Sequence, residues 1–207
     1  MKTIFITTAT AIMLFCLASC SSDDRDSGLV TEKGQASTSI KVQEVKDVNA
    51  TDQAKFTLYS LRENKVIKAE DKNTDKWDIG FSTTKIIING GKIRKGKGAA
   101  TIVKGSFEDI KSAPDDKTFK VDNAENDLAI TTGSGNGWYT YNMTKHTIHP
   151  IPGNIIVIKT GDGKYAKIQI MSYYKGAPAN IPDESKDSGY YTFKFALQTN
   201  GSNIFSK

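Results

Sequence analysis

The feature that most constrains the fold is a short turn, Thr160-Gly161-Asp162-Gly163-Lys164, set between two β-prone runs. Ile155-Ile156-Val157-Ile158 precedes it and Ala166-Lys167-Ile168-Gln169-Ile170 follows it. Asp-Gly tolerates the positive φ that a tight antiparallel connection needs, so the two runs are expected to pair as a hairpin. Side chains alternate across a strand. In the second arm, Ala166, Ile168 and Ile170 therefore share one face, and Lys167, Gln169 and Met171 share the other. The first arm is apolar on both faces, which marks a central strand covered on both sides.

The same signal recurs along the chain. Short runs rich in Ile, Val, Thr, Tyr and Phe alternate with Gly, Asn and Asp. Strands are expected at 39–43, 55–60, 65–68, 76–81, 85–89, 99–104, 118–121, 138–142, 154–160, 165–174 and 190–198. In the last of these, Tyr191, Phe193, Phe195 and Leu197 form an apolar face, with Thr192 and Lys194 directed outward. One short helix is expected at 106–112, with Ser106 as N-cap, Asp109 at the capping-box spacing and Pro114 beyond its end. There is no internal repeat and no amphipathic helix long enough for a bundle. The fold class is therefore all-β, a mostly antiparallel sandwich or distorted barrel with at most one short helix.

The N-terminus carries a different pattern. Lys2 is followed by an uncharged, nearly all-apolar run at 4–17, too short for a stable membrane span. It ends in Leu17-Ala18-Ser19-Cys20, which resembles a bacterial lipobox. The expectation is an export signal at 1–19, lipidation of Cys20, a polar tether at 20–37 and a single β domain at 38–207. Acyl chains on Cys20 would anchor the protein, each buried methylene contributing roughly 0.8 kcal/mol. The acidic run Ser21-Ser22-Asp23-Asp24-Arg25-Asp26 resembles the surface-export signal of Bacteroidetes lipoproteins. Localisation is thus expected at the outer membrane, exposed at the surface, with the periplasmic face as the alternative.

Composition excludes several chemistries. The only cysteines are Cys16, which leaves with the signal, and Cys20. The β domain thus has no disulfide, no Cys zinc site and no iron–sulfur ligands. Its stability must come from a core, for which 38% hydrophobic content suffices. A net charge of +5, reduced to +4 by loss of Lys2, is spread among acidic residues and lacks the dense basic stripe of a nucleic-acid binder. The local exception is Lys92-Ile93-Arg94-Lys95-Gly96-Lys97, a loop able to attract an anion. No Gly-x-Ser-x-Gly elbow is present, and Gly133-Ser134-Gly135-Asn136-Gly137 lacks the Lys-Ser/Thr of a phosphate loop. The expectation is a binding protein and not an enzyme.

Three stretches carry a family likeness. The first is Lys76-Trp77-Asp78-Ile79-Gly80-Phe81, running through Ile86-Ile87-Ile88-Asn89-Gly90-Gly91. The second is Gly96-Lys97-Gly98-Ala99-Ala100. The third is Gly137-Trp138-Tyr139-Thr140-Tyr141-Asn142-Met143, leading through the hairpin turn to Tyr191-Thr192-Phe193-Lys194-Phe195. In this order and spacing they resemble the HmuY-like haem-binding lipoproteins of Bacteroidetes.

The resemblance implies a β fold that holds haem or another tetrapyrrole in a cleft near one edge and passes it to a TonB-dependent outer-membrane transporter. It also implies two axial side chains on the iron, one of them five positions after the tryptophan of the Gly-Trp strand, which here is Met143. The other family ligand lies upstream of Trp138, but 104–137 contains neither His nor Met. His146, His149 or Met171 is left to supply it. His146 and His149 are separated by an odd offset, so on an extended strand their rings face opposite ways and do not chelate one metal. Trp138, Tyr139 and Tyr141 are expected to line the pocket, and Lys92, Arg94, Lys95 and Lys97 to meet the propionates. Trp77 is expected in the core. The alternative is a non-haem surface lipoprotein of the same fold that serves in adhesion or binds a glycan or siderophore.

Overall fold

The computed structural model describes residues 40–183 and 186–206. The expected signal, Cys20 and the tether lie outside the described residues, as does the start of the first expected strand. The described strands are β1 (Val42–Asn49), β2 (Thr57–Ser60), β3 (Lys65–Ile67), β4 (Ile79–Ser82), β5 (Lys85–Ile88), β6 (Ala99–Lys104), β7 (Tyr139–Asn142), β8 (Thr147–Pro150), β9 (Asn154–Lys159), β10 (Tyr165–Tyr174) and β11 (Ser188–Gln198). They form a five-stranded sheet in the order β1-β11-β10-β9-β6, a four-stranded sheet β3-β2-β4-β5, and the separate hairpin β7-β8. The pairings are antiparallel. The sheets do not close into a barrel, so of the two expected architectures the open one is found.

The turn at 160–164 joins β9 to β10, with Lys159 opposite Tyr165 as the first pair. Thr160 N–H donates to Lys164 O at 2.7 Å, Gly163 N–H donates to Thr160 O at 2.9 Å, and Gly163 has φ +88°. That is a three-residue loop ending in a left-handed glycine, which restores the strand twist. β9 is covered on both sides. Ile156 and Ile158 enter the main core with Phe81, Ile88, Ile168, Tyr191, Phe193 and Phe195, between the two large sheets. Ile155 and Val157 face a second cluster with Phe107, Ile110, Ala113 and Phe205. Each such aliphatic side chain contributes roughly 1.5–3 kcal/mol on burial. Trp77 is fully buried in a third cluster, on the other side of the four-stranded sheet, with Leu58, Ile67 and Ile87.

Several local expectations are overturned. No helix forms at 106–112. The capping contacts do form, with Asp109 N–H donating to Ser106 Oγ at 3.1 Å and Ser106 Oγ–H donating to Asp109 Oδ2 at 2.6 Å. A single turn does not propagate, because the carbonyls a helix would use next are taken from outside. Lys167 Nζ donates to Phe107 O at 2.6 Å and to Ile110 O at 3.0 Å, and Phe205 N–H donates to Lys111 O at 2.6 Å. The expected strand at 118–121 is instead a 3₁₀ turn at Asp116–Thr118 followed by one bridge, Ala100 to Lys120. β8 went unanticipated because its sequence, Thr-Ile-His-Pro, is short and ends in a residue that interrupts ladders. Thr192 is buried, not outward, because β1 bulges between Val45 and Val48 and Asp47 N–H donates to its hydroxyl at 3.3 Å.

The motif residues that carry the likeness hold strands together. Asn89 Nδ2 donates to Thr74 O (2.9 Å) and Trp77 O (2.8 Å), and its Oδ1 accepts from Gly96 N–H at 3.1 Å. A Cβ on Gly90 would lie 1.8 Å from Gly98 O, so the two loop ends cross only because neither residue has a side chain.

Candidate functional site

The β7–β8 hairpin stands apart from the two large sheets, and its loop is built by one asparagine. Asn142 pairs with Thr147 across the ladder, and its Oδ1 accepts from Thr144 N–H and Lys145 N–H, each at 3.0 Å. That cap curls residues 143–146 into a compact turn closed by His146 at φ +50°. Met143 is 79% exposed on this loop. Tyr141, 40% exposed, lies at hydrogen-bond distance from His146, with 2.7 Å between its Oη and Nδ1.

The base of the hairpin is fixed to the core. Trp138 is only 2% exposed, its Nε1–H donates to Thr84 O at 2.9 Å, and its ring contacts Tyr173 and Tyr191 at centroid distances of 5.6 and 5.1 Å. Tyr139 packs on Trp138 at 5.0 Å. Tyr174 Oη accepts from Ile148 N–H at 2.8 Å and ties β8 to β10. Trp138 therefore departs from the expectation of a pocket-lining residue: its indole is enclosed by other aromatics and anchors the hairpin. Tyr139 is partly buried against the same core, and Tyr141 alone of the three turns its ring to the exposed side.

Between β8, the outer side of β10 and the chain that follows β10 lies an open cleft of about 440 Å³. His149 and Met171 are both among its walls, with Ile170, Tyr173, Pro178 and Ile181. Met171 is 47% exposed. His149 Nε2 is 2.8 Å from Thr147 Oγ1, and in the tautomer where Nε2–H donates to that hydroxyl the Nδ1 lone pair is free for a metal. The fold thus brings together two of the candidate ligands from separate strands. Met143 and His146 stand at the hairpin tip, outside the walls of this cleft.

The basic loop divides. Arg94 is partly buried, with Nη1 2.8 Å from Asp122 Oδ2 and its guanidinium over the Trp77 ring at 5.9 Å. Held this way it is not free for a propionate, contrary to expectation. Lys92, Lys95 and Lys97 are exposed, and none is among the cleft walls. Two buried carboxylates were not singled out in advance. Asp122 accepts from Ile88 N–H (2.9 Å) and Ala129 N–H (2.7 Å), and Asp78 accepts from Leu61 N–H (2.7 Å) and Gly161 N–H (2.9 Å). Burial pushes both carboxyls above the usual range, outweighing these donors and the neighbouring Arg94 and Arg62. Both serve the backbone and face no cleft chemistry.

The donor set suits a particular kind of ligand. Among the described residues no three His, Cys, Asp or Glu side chains gather to hold a bare metal ion. One or two neutral nitrogen or thioether donors are what the iron of a porphyrin takes, since the macrocycle supplies the other four ligands.

A family model described as HmuY protein matches residues 52–195. No curated protein sequence matches the chain. Among solved structures, a Tannerella forsythia apo HmuY analog is 16% identical with a TM-score of 0.52, covering 77% of this chain and 96% of its own. A Bacteroides fragilis protein classed provisionally as a lipoprotein is 17% identical with a TM-score of 0.50, covering 74% and 89%. A Bacteroides vulgatus protein classed provisionally as a HmuY-like haem-binding protein is 16% identical with a TM-score of 0.49, covering 74% and 90%.

Proposed function

The chain belongs to the HmuY family, and from that premise we propose that it binds haem or a related tetrapyrrole as cargo, in the cleft beside the β7–β8 hairpin. The observation that carries this reading is the placement of His149 and Met171 in the wall of one open cleft, part polar and part apolar. Either side chain offers the iron a neutral donor. The hairpin supplies the other, for which the family position points to Met143. Ile170, Pro178 and Ile181 offer the apolar surface a macrocycle face needs.

The rest of the reading follows from the N-terminal sequence. A lipid on Cys20 and a tether at 20–37 would hold the β domain at the outer membrane, at the cell surface. An anchored binder raises the local concentration of its cargo near a TonB-dependent transporter, without any added contact. The role is capture and transfer, not catalysis.

The test is a haem titration of the purified protein, following the Soret and visible bands. A saturable, red-shifted Soret band that weakens in His149→Ala or Met171→Ala is the expected result. An unshifted, nonsaturable spectrum rules out haem. The absence of His and Met from 104–137 would then favour the second reading, a glycan or siderophore binder of the same fold.

A further inference from the structure

A second cavity, of about 400 Å³, lies over the outer face of the four-stranded sheet and shares no wall residue with the cleft beside β8. Side chains alternate along a strand, so Lys85 and Ile87 of β5 point to this one face. Phe56, just before β2, packs there in the Trp77 cluster with Ile87. Phe56, Ile87 and Ile93 make the apolar part of the lining, and Lys72 and Lys85 stand in its polar part. Ile93 is 45% exposed, an apolar side chain within the basic loop, which the haem reading leaves without a role.

Two ties to Trp77 hold this lining in place. Trp77 Nε1–H donates to Lys72 O at 2.9 Å, which fixes the 3₁₀ turn Ala69–Asn73 that carries Lys72. The Arg94 guanidinium lies over the same indole and is held by Asp122, which fixes the loop that carries Ile93. A lining set in advance spares a ligand the cost of ordering it. The charges around the cavity are unequal. Lys68 and Lys76, which flank the 3₁₀ turn, are paired with Glu70 and Asp71. Among the described residues Lys72 and Lys85 pair with no carboxylate, and both are exposed at the cavity. Arg94 is offset by Asp122 and by Glu125, the one carboxylate of the lining. Three cations thus face two carboxylates, which leaves one positive charge in excess.

We propose that this cavity binds a small organic monoanion with an apolar body, its carboxylate between Lys72 and Lys85 and its hydrocarbon on Phe56, Ile87 and Ile93. The volume falls in the range of small-molecule sites. A bare inorganic anion would leave the apolar lining in water, and a neutral hydrocarbon would leave both ammonium groups without a counter-charge. The site is independent of haem and stands whether or not the chain carries it.

The experiment is isothermal titration calorimetry of the purified protein with butyrate, hexanoate and octanoate at constant ionic strength, with inorganic phosphate as the anion that lacks an apolar body. One saturable site is expected, with affinity rising about three- to fourfold for each added methylene and phosphate about tenfold weaker than octanoate. Lys72→Gln combined with Lys85→Gln should weaken octanoate by about tenfold, and Ile93→Asp should weaken it similarly. Lys95→Gln, on the same loop but outside the lining, should leave it unchanged. All these side chains are exposed, so the variants should keep the fold, which thermal unfolding checks. Affinity that ignores chain length, or that is equal for phosphate, overturns the proposal and leaves only a basic surface. Octanoate binding that survives the double variant puts the acid elsewhere and overturns it too, as does the absence of binding.

Discussion

The carboxylate of Asp78 accepts a hydrogen bond from the backbone N–H of Gly161, 2.9 Å away in space and 83 residues along the chain. Its other oxygen accepts from Leu61 N–H at 2.7 Å, and Arg62 lies 3.3 Å off. One buried side chain thus joins the end of β2, the entry to β4 and the β9–β10 turn. Removing it leaves two backbone donors without their acceptor and takes from the Arg62 guanidinium one of its two carboxylate neighbours, Asp162 being the other. Asp78→Ala is expected to lower stability by about 3–5 kcal/mol. Asp78→Asn, which keeps one acceptor oxygen, should cost about 1–3 kcal/mol. Urea unfolding of the two variants checks both the size and the order.

Asp122 makes a prediction about pH. Burial raises its folded-state carboxyl above the ordinary value of 3.8. The folded protein therefore holds this proton more tightly than the unfolded chain does. The stability so contributed is complete below about pH 3.8 and is lost as pH rises through the raised folded value. Asp122→Asn has no such dependence. The difference in unfolding free energy, wild type minus D122N, should fall as pH rises from about 4 to 7. A difference that rises over that range would contradict the direction.

Lys167 holds down the segment that failed to become a helix. Its buried ammonium donates to Phe107 O and Ile110 O and lies 4.4 Å from the Phe107 ring centroid. Lys167→Met conserves the aliphatic stem and strips both carbonyls of their donor, at a cost of about 1–3 kcal/mol. The loss should be local. Hydrogen exchange and protease cleavage in 105–113 are expected to rise well before the β9–β10 ladder is affected.

Trp138 and Met143 are five residues apart and should behave in opposite ways. Trp138→Ala empties a packed aromatic site and should cost about 3–5 kcal/mol. Met143→Ala removes a solvent-exposed side chain and should change stability by less than about 0.5 kcal/mol. Thermal unfolding of the two variants separates them. It also means that any spectral change in M143A reports on ligand binding and not on folding.

How far the sequence could be read depended on the range of the forces involved. β6 and β10 were delimited at their observed residues, because alternation and flanking turns are local signals. The burial of β9 on both faces followed from its unbroken apolar run, 155–158. The capping box at Ser106 was also read correctly, yet the helix it announced is absent. Its fate was decided by Lys167, 60 residues away from the Phe107 carbonyl that it takes. At the site, Met143, His149 and Met171 were recognisable as donors by their chemistry. That His149 and Met171 share a cleft was not legible, because their meeting depends on how the β7–β8 hairpin docks through Tyr174. The same holds for Trp138 and Arg94: residue type suggested a ligand contact, and packing enclosed one in aromatics and the other against Asp122.

The sequence by itself determined an all-β chain, the β9–β10 hairpin and the doubly covered strand within it. Those depend on φ preferences and on a period of two, which neighbours in the chain decide among themselves. Only the tertiary structure decided that Asp78 meets Gly161, that Lys167 meets the 105–113 segment, and that His146 turns back onto Tyr141. Each of these pairs a charge or hydrogen-bonding group with a partner that local pattern does not mark, and burial gives such a pairing its strength.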